Sequence, residues 1–312
     1  MNILFTGCAG FIGSHLAERL LSQNHQVWGI DNLNHYYSPQ QKHKNLEILY
    51  SYNNFHFQKD DLVTTKILQE VKFDVVFHIG AMAGVRYSLE NPEIYFKTNV
   101  EGQTHLLNEC IKSGCKKFIY ASSSSVYGTN TKVPFCETDE INNFNSPYAV
   151  SKKNGEDIAK LYSKLYDIQT IGLRFFTVYG ERGRPDMAPY KFLTKIMNQT
   201  PIDKYGDGNS YRDYTYISDI IDGIIGTLTT NKKCTVFNLG NGNPITLNEF
   251  IKTCEKITGK KAIIHQMGDQ LGDVPATYAS IKYAQEELGY SPKVKLEEGL
   301  QNMYQYLLFS KL

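Results

Sequence analysis

The chain has 312 residues, which is room for about two domains of ordinary size. Hydrophobic residues make up 41% of the chain and charged residues 21%, a balance typical of a globular protein rather than a disordered one. With 33 Lys+Arg against 32 Asp+Glu the net charge is +1, which argues against a nucleic-acid-binding protein, and no apolar run approaches the ~18 residues that a membrane span requires.

Apolar strand-like runs alternate with helix-period stretches along the first 176 residues. Residues 2–6 indicate a strand, and residues 11–24 a helix with Ile12, Leu16 and Leu20 on one face. Further strands are predicted at 26–31, 55–60, 74–81, 117–122 and 169–176, with helices at 94–113 and 147–166. Runs such as Val75-Val76-Phe77 are apolar on both faces, which is typical of a parallel sheet covered by helices. We therefore predict an α/β fold with a Rossmann-type doubly wound parallel sheet.

The pattern loosens after residue 176. We predict a helix at 187–198, a strand at 212–217 and a helix at 218–230. Thr246 and Glu249 form a capping-box pattern that opens a helix to about residue 257, and residues 296–312 form an amphipathic helix. We expect a Rossmann domain over 1–175, to which about 210–240 returns, and a smaller C-terminal lobe over 176–312.

The six cysteines are spread along the chain without a Cys-x-x-Cys pair. Neither a zinc ribbon nor a disulfide framework is therefore expected, and no metal site is predicted. A strand-like segment begins at Asn2, which leaves no room for a signal peptide. We expect a cytoplasmic protein without a nucleic-acid or membrane partner.

Gly7-x-x-Gly10-x-x-Gly13 lies between the first predicted strand and the first predicted helix, where a dinucleotide fold needs it. Glycine there permits a tight turn and close approach of the main chain to a pyrophosphate, which the helix N-terminus attracts. Asp31 ends the second strand, where an acid would bind the adenosine ribose hydroxyls. Because a carboxylate would repel the 2′-phosphate of NADP, the sequence favours NAD.

Tyr148-x-x-x-Lys152 follows Ser146-Pro147, a helix N-cap and first helical residue. The spacing of four places the phenol and the ammonium on one helical face, where the cation favours the phenolate. Ser123 lies at the end of a predicted strand, and the carboxyl ends of parallel strands are where such sheets bind ligands.

These residues form part of a wider resemblance that covers nearly the whole chain. The glycine motif and the Ser123, Tyr148 and Lys152 set, together with residues 174–180 and 211–214, resemble the extended short-chain dehydrogenase/reductases that act on nucleotide sugars. Residues 83–92, 121–128 and 183–188 are most similar to UDP-glucuronate 4-epimerases. The resemblance implies an NAD-dependent enzyme with a UDP-sugar substrate, and a homodimer.

The resemblance also assigns roles to residues. Tyr148 would take the proton of the sugar 4-hydroxyl, Ser123 would hydrogen-bond the same oxygen, and Lys152 would hold the nicotinamide ribose. The implied cofactor-binding residues are Gly7, Gly10, Phe11, Ile12, Gly13, Asp31, Asn32, Asp61, Leu62, Ala81, Ala83, Asn99, Tyr148, Lys152 and Phe175. The implied or candidate substrate-binding residues are Arg86, Ser88, Ser123, Ser124, Ser125, Thr177, Arg184, Lys191, Arg212 and Asp273.

Arg184 is the main candidate for substrate choice, because a guanidinium suits bidentate recognition of a uronate carboxylate. Arg212 matches the family's arginine at the UDP pyrophosphate, and Asp273 its acid near the uridine ribose. Ser280 departs from the family, which commonly has Asp there.

The resemblance favours interconversion of UDP-glucuronate and UDP-galacturonate, and four other functions are alternatives. A 4,6-dehydratase is disfavoured, since Ser124 and Ser125 stand where dehydratases carry Asp and Glu. A UDP-glucose or UDP-N-acetylglucosamine 4-epimerase is the nearest alternative, although many of these carry Asn in place of Thr177. A UDP-glucuronate decarboxylase shares the oxidation step. A non-catalytic NAD-binding sensor would typically lack the tyrosine or the lysine, and both are present here.

Overall fold

A computed structural model describes residues 1–268 and 276–309. The chain divides into two compact units. The first contains Met1–Asn130, Glu137–Phe175 and Ile224–Asn238, and the second contains Thr131–Cys136, Phe176–Gly223 and Leu239–Leu312.

The strands of the described residues are β1 (Asn2–Thr6), β2 (Gln26–Asp31), β3 (Phe55–Lys59), β4 (Val75–His78), β5 (Lys117–Ser123), β6 (Gln169–Phe175), β7 (Thr177–Tyr179), β8 (Ile202–Tyr205), β9 (Tyr211–Arg212), β10 (Tyr214–Tyr216), β11 (Cys234–Leu239), β12 (Ile245–Thr246), β13 (Ile264–Met267) and β14 (Ala276–Thr277). The α-helices are α1 (Phe11–Ser22), α2 (Pro39–Tyr50), α3 (Ile67–Glu70), α4 (Val85–Glu90), α5 (Pro92–Tyr95), α6 (Gly102–Ser113), α7 (Pro147–Leu165), α8 (Ala188–Met197), α9 (Ile217–Gly226), α10 (Leu247–Thr258), α11 (Lys282–Leu288) and α12 (Leu296–Phe309). A π-helical segment covers Phe96–Glu101, and a 3-10 turn covers Ser124–Tyr127.

A seven-stranded sheet with the order β11-β6-β5-β4-β1-β2-β3 forms the centre of the first unit. Every pairing from β3 to β6 is parallel. The direction of strand succession reverses between β1 and β4, and such a reversal is where doubly wound sheets bind their ligands. The predicted Rossmann-type fold is thus confirmed.

The sheet is stabilised by its central strands, which are buried on both faces. All four residues of β4 are buried, and Val76 shares a core with Leu4, Leu106 and Phe118 from neighbouring strands and α6. Complete burial of one such side chain is worth about 1.5–3 kcal/mol. This core fixes the carboxyl ends of the strands, from which the candidate site is built.

Smaller elements make up the second unit. β7 pairs with β10 and β8 with β13, both in parallel, while β9 lies between β12 and β14. Stacked rings of Tyr214 and Phe250, with centroids 4.6 Å apart, join β10 to α10. The predicted capping box is present at the start of α10, since Thr246 and Glu249 exchange both hydrogen bonds.

Several predicted element bounds were wrong. The predicted strand at 212–217 is interrupted at Asp213, whose side chain binds main-chain N–H groups of other loops. The predicted helix at 94–113 is divided into α5, the π-helical segment and α6, because Asn99 turns inward to bind the main chain of Met82. The predicted helix at 218–230 ends at Gly226, and helix α2 was not predicted.

No helix in the described ranges is long and apolar enough to cross a membrane. Within the same ranges, no three His, Cys, Asp or Glu side chains are grouped so that they could hold a metal ion.

Candidate active site

The loop between β1 and α1 has the geometry of a phosphate-binding turn. Gly7 has φ +73° and donates its N–H to the Ile30 carbonyl over 2.8 Å, while the Gly10 N–H binds the Gly7 carbonyl over 3.0 Å. A Cβ at Gly13 would overlap the Gly7 carbonyl oxygen. Only glycine therefore permits this close packing of loop on helix. The first N–H groups of α1, from Phe11 onward, have no partner within the helix and suit an anion.

Asp31 ends β2 beside this loop and is 9% exposed. Its carboxylate accepts N–H groups from Ala9 over 3.2 Å and Leu33 over 2.8 Å. Burial raises the pKa of Asp31, and the positive charge of Lys42 opposes that rise. The predicted ribose-binding acid is thus held in place beside the phosphate loop.

Asn32 and Asp61, two predicted cofactor residues from the ends of neighbouring strands, are in contact. The Asn32 amide donates to Asp61 Oδ2 over 2.9 Å, and Asp61 Oδ1 accepts the Val63 N–H over 3.0 Å. Leu62, which follows Asp61 in the chain, is buried. The adenosine end of the predicted cofactor site is therefore assembled as a single hydrogen-bonded group.

Two polar residues of α2 join this region and were not predicted. Lys42 is 4% exposed and donates its ammonium to both the carbonyl and the side-chain oxygen of Asn34, each over 2.9 Å. Asn45 is 1% exposed and donates to the Ala9 carbonyl over 2.9 Å, while its Oδ1 has no hydrogen-bond partner among the described residues. A buried acceptor without a donor is costly, and a ligand hydroxyl or amine would satisfy it.

Helix α7 begins where its capping signals predict. Ser146 accepts the Ala149 N–H over 3.2 Å, and Pro147 occupies the first helical position. Tyr148, in the first turn, is 9% exposed, and its ring meets the Tyr95 ring edge-on at 5.9 Å between centroids. The phenol is therefore held in an apolar setting.

Lys152 lies one turn later and is 6% exposed. Its ammonium donates to the Ala121 carbonyl of β5 over 2.8 Å, two residues before Ser123. Burial lowers the pKa of Lys152 to about 7, although the carboxylate of Glu156 opposes this fall. A lysine in this state is close to its titration point at neutral pH.

Ser123 caps the 3-10 turn that follows β5, since its Oγ accepts the Ser125 N–H over 3.1 Å. The hydroxyl proton of Ser123 remains available for donation to a ligand oxygen. Ser124 and Ser125, the two other predicted serines, lie in this turn and are partly exposed.

Asn99 connects the catalytic helix to the loop after β4. Its side-chain oxygen accepts the Met82 N–H, and its amide donates to the Met82 carbonyl and to Ser151 Oγ, each over 2.9 Å. Ser151 in turn donates to the Tyr148 carbonyl over 2.8 Å. The predicted residues Ala81 and Ala83 flank Met82, so one amide positions both the loop and the start of α7.

The remaining predicted residues of the first unit have different surroundings. Phe175 is buried at the end of β6, and Arg86 is exposed on α4. Ser88 is fully buried and donates its hydroxyl to the Val85 carbonyl of its own helix over 2.6 Å. In this conformation the Ser88 hydroxyl serves its own helix.

In the second unit, Arg184 is already engaged by an acid. Its Nε donates to Asp186 Oδ1 over 3.0 Å and its Nη2 to Oδ2 over 2.6 Å. Both side chains are partly buried, at 19% and 32% exposed. The aspartate therefore occupies one edge of the fork that was predicted to receive a substrate carboxylate.

The other predicted residues of this unit lie on α8, β9 and β7. Lys191 is exposed on α8, and Arg212 on β9 donates to the Tyr211 carbonyl over 2.9 Å. Thr177 begins β7, where its N–H binds the Asp213 carbonyl over 3.1 Å. The predicted Asp273 lies outside the described residues.

Asp213 was not predicted, yet it organises the region around Arg212. It is fully buried and accepts N–H groups from Asn241 over 2.6 Å, Gly242 over 3.0 Å and Ala279 over 3.1 Å. Burial raises its pKa, and these hydrogen bonds oppose the rise. The signal for Asp213 in the sequence was its place in residues 211–214, one of the stretches that resemble the family.

Comparison with known proteins agrees with this arrangement. The family model described as GDP-mannose 4,6 dehydratase matches residues 4–303. A probable UDP-glucuronate 4-epimerase of Rhizobium meliloti is 38% identical over 98% of this chain and 96% of its own length.

Two solved structures are also similar. UDP-glucuronic acid 4-epimerase from Bacillus cereus, in complex with UDP-glucuronic acid and NAD, is 36% identical with a TM-score of 0.93, covering 99% of this chain and 100% of that one. UDP-glucose 4-epimerase from Thermotoga maritima, with UDP-glucose, is 32% identical with a TM-score of 0.91 and covers 100% of both chains.

Proposed function

Because the chain belongs to the family that the GDP-mannose 4,6 dehydratase model describes, whose similar members include NAD-dependent UDP-sugar epimerases, we propose that it is an NAD-dependent UDP-sugar 4-epimerase that interconverts UDP-glucuronate and UDP-galacturonate. The observation that carries the proposal is the α7–β5 arrangement, in which Tyr148 and Lys152 are buried beside the strand that ends in Ser123. The predicted NAD cofactor and UDP-sugar 4-epimerase class are supported by these relatives, some of which are solved with NAD and UDP-glucuronic acid.

The first unit is suited to NAD. The turn at Gly7 and Gly13 has no space for a side chain, so the main chain can approach a pyrophosphate closely. Asp31 offers a carboxylate, and Asn45 an unpaired oxygen, beside that turn. We assign the pyrophosphate to the glycine turn, the adenosine ribose to Asp31 and the nicotinamide ribose to Lys152. When bound, NAD would supply a reversible acceptor for the hydride that leaves C4 of the sugar.

The residues of the chain then move and hold protons. Tyr148, as phenolate, takes the proton of the sugar 4-hydroxyl, and the Lys152 ammonium stabilises the negative phenolate. Ser123 donates its hydroxyl proton to the same sugar oxygen and so keeps C4 of the sugar in position. The 4-keto sugar then rotates, so that the hydride returns to the opposite face of C4. Tyr148 gives its proton back to the C4 oxygen, and the configuration at C4 is inverted. No net oxidation results, so the cofactor is reused in each cycle.

We assign the nucleotide sugar to the second unit. Arg212 would bind the pyrophosphate of UDP, Arg184 the uronate carboxylate, and Thr177 a further substrate oxygen. Arg184 supports a uronate over a neutral sugar because a planar guanidinium, held here by Asp186, suits recognition of a carboxylate.

A homodimer is also part of the proposal. Exposed apolar side chains on α7 support it, namely Leu161 at 50% and Leu165 at 60% exposed, followed by Tyr166 at 44%. Light scattering after size-exclusion chromatography would measure the mass, and a monomer would contradict it. We further propose a cytoplasmic location, since all six cysteines are free thiols.

The proposed reaction is tested with purified protein and three substrates in separate reactions: UDP-glucuronate, UDP-glucose and UDP-N-acetylglucosamine. Products are resolved by anion-exchange chromatography and identified by NMR. We expect UDP-galacturonate from the first and at least ten-fold slower turnover of the neutral sugars. Faster epimerisation of UDP-glucose would assign the protein to the neutral-sugar enzymes instead. A UDP-pentose with release of CO2 would show a decarboxylase, and no turnover with bound NAD a sensor.

A further inference from the structure

Helix α7 carries a third polar residue in line with Tyr148 and Lys152. Glu156 follows Lys152 by four residues, so all three lie on one face of the helix. Glu156 is 6% exposed, and its negative charge favours the charged state of Lys152. A carboxylate buried this close to a catalytic lysine calls for a physical explanation, because burial of a charge is costly.

The Glu156 carboxylate is fully engaged by two other elements. Arg174 donates Nε to Oε1 over 2.8 Å and Nη2 to Oε2 over 2.7 Å, while Ser122 donates its hydroxyl to Oε1 over 2.6 Å. Glu156 accepts all three of these hydrogen bonds, the pattern of an ionised carboxylate. The ion pair is buried, with 4% and 6% of the side chains exposed.

These contacts reach the elements that bear the catalytic residues. Ser122 pairs with Arg174 in the sheet register, and Ser123 follows Ser122 directly. Arg174 Nη1 also donates to Tyr127 Oη over 2.9 Å, at the end of the turn that Ser123 caps. Glu156 and Arg174 therefore join α7, β5, β6 and the serine turn at one point.

Among the buried groups of the described part of this unit, the Glu156 charge acts on Lys152, and Arg174 is paired with Glu156. Burial lowers the pKa of His78, on β4, to about 3 and raises the pKa of Tyr120, on β5, well above its usual value, so both are neutral. Burial likewise raises the pKa of Tyr127.

The helices packed against α7 carry further charges at positions where solvent screens them. These exposed residues are Arg86, Glu90, Glu93, Lys97 and Glu101. Glu109 of α6 is buried, but it accepts hydrogen bonds from Lys112 and Gln69, each over 2.7 Å.

We propose that Glu156, held by Arg174 and Ser122, is a positioning residue for the reaction: it keeps the Lys152 ammonium protonated and fixes α7 against the strand that presents Ser123. This inference rests on the proposed function only for the role of Lys152. Removal of the Glu156 charge would leave two buried cations, Lys152 and Arg174, without the carboxylate that favours them, which disfavours the protonated lysine. Removal of the Arg174 charge would leave the Glu156 carboxylate uncompensated, which favours the protonated form of Lys152.

The two substitutions therefore have opposite expected effects. In the pH profile of kcat, measured on the NAD-bound enzyme, the alkaline limb reports loss of the Lys152 proton. Glu156→Gln should move that limb to lower pH by about one unit, with a loss of about ten-fold in kcat at the pH where the wild-type enzyme begins to decline. Arg174→Gln should move the limb to higher pH. The double variant, which removes both charges, should return the limb toward its wild-type position.

A purely structural role predicts a different result. It would lower the melting temperature of all three variants without moving the limb, or would move it in the same direction in each, and either outcome overturns the proposal. Glu109→Gln is the matched control, since it removes another buried, hydrogen-bonded carboxylate of the same unit and should leave the limb in place. If Glu156→Gln does not fold, Glu156→Asp and Arg174→Gln test the proposal instead. Glu156→Asp should retain the wild-type alkaline limb, and Arg174→Gln should move that limb to higher pH.

The titration can also be followed without turnover. NMR of isotope-labelled lysine in the NAD-bound protein, with the signal assigned by Lys152→Met, gives the pKa of Lys152 directly. A lower pKa in Glu156→Gln would support the proposal even if no UDP-sugar were turned over, and an unchanged pKa would overturn it even if epimerisation were established. Failure of this inference and failure of the proposed function are thus separate results.

Discussion

The ammonium of Lys152 donates a hydrogen bond to the main-chain carbonyl of Ala121 over 2.8 Å, within a setting where 6% of the lysine is exposed. A carbonyl oxygen satisfies one of three ammonium protons. The lysine is therefore held in the position that the proposed reaction needs, at a cost in stability while no ligand shares its charge.

That cost depends on pH in a defined direction. The pKa of Lys152 is lowered by burial to about 7, below its value of about 10.4 in an unfolded chain. Below pH 7 both states are protonated and the penalty is complete; between pH 7 and about 10.4 the unfolded state binds more protons, so the penalty fades as the pH rises. We expect Lys152→Met to stabilise the cofactor-free protein by about 2–4 kcal/mol at pH 6 and much less at pH 10. Urea unfolding at both pH values measures this, and an equal effect at the two would contradict it.

Tyr148→Phe tests the proposed base. The phenol is buried against Tyr95, and a phenylalanine ring preserves this contact while removing the proton acceptor. We expect kcat to fall by about 10²–10⁴-fold, with unchanged NAD content measured after denaturation. Tyr162→Phe is the matched control on the same helix, because Tyr162 hydrogen-bonds Asn108 at the surface. Loss of bound NAD from the Tyr148 variant would show a defect in the site rather than in proton transfer.

Substrate choice is tested at the Arg184–Asp186 pair. Arg184→Gln removes the fork proposed for the uronate and should raise the KM for UDP-glucuronate by at least about ten-fold, with little change for UDP-glucose. Asp186→Asn removes the negative charge beside the guanidinium and should lower the KM for UDP-glucuronate several-fold. Steady-state kinetics on both substrates measures these effects. Equal changes in KM for the charged and the neutral sugar would mean that Arg184 does not bind the uronate carboxylate.

The sequence predicted the parts of this molecule that depend on local pattern. The parallel sheet followed from apolar runs such as Val75-Val76-Phe77, and the start of α7 from Ser146-Pro147, because burial and capping act over a few neighbouring residues. The sequence could not predict that Glu156 pairs with Arg174. Arg174 lies 18 residues away, on a strand whose register is determined only by the fold. The engagement of Arg184 by Asp186 had a signal, two opposite charges two residues apart, but whether they meet depends on the loop geometry.

Lys42→Met tests the residue that the sequence did not predict at the adenosine end. Lys42 opposes the rise in the pKa of Asp31 that burial causes, so its removal should raise that pKa further and leave less of the ribose-binding carboxylate ionised. We expect NAD to bind about ten-fold more weakly, with the largest loss at acidic pH, where a raised pKa protonates Asp31 first. Calorimetry at pH 5.5, 7 and 8.5 would measure the affinity. Lys44→Met, an exposed neighbour on α2, is the control, and a pH-independent loss would place the effect on packing instead.

Gly13→Ala tests the close contact between the phosphate loop and α1. A Cβ at this position would overlap the Gly7 carbonyl oxygen, and the main chain on both sides is fixed by the hydrogen bonds of Gly7 to Ile30 and of Ser14 to Gly10. Neither partner can move without shifting the loop, so we expect NAD binding to fall by at least about 100-fold and the melting temperature to fall as well. Gly268→Ala is the control, because a Cβ there meets no atom of the described residues within 4 Å. Normal NAD affinity in Gly13→Ala would mean that the pyrophosphate does not bind at this turn.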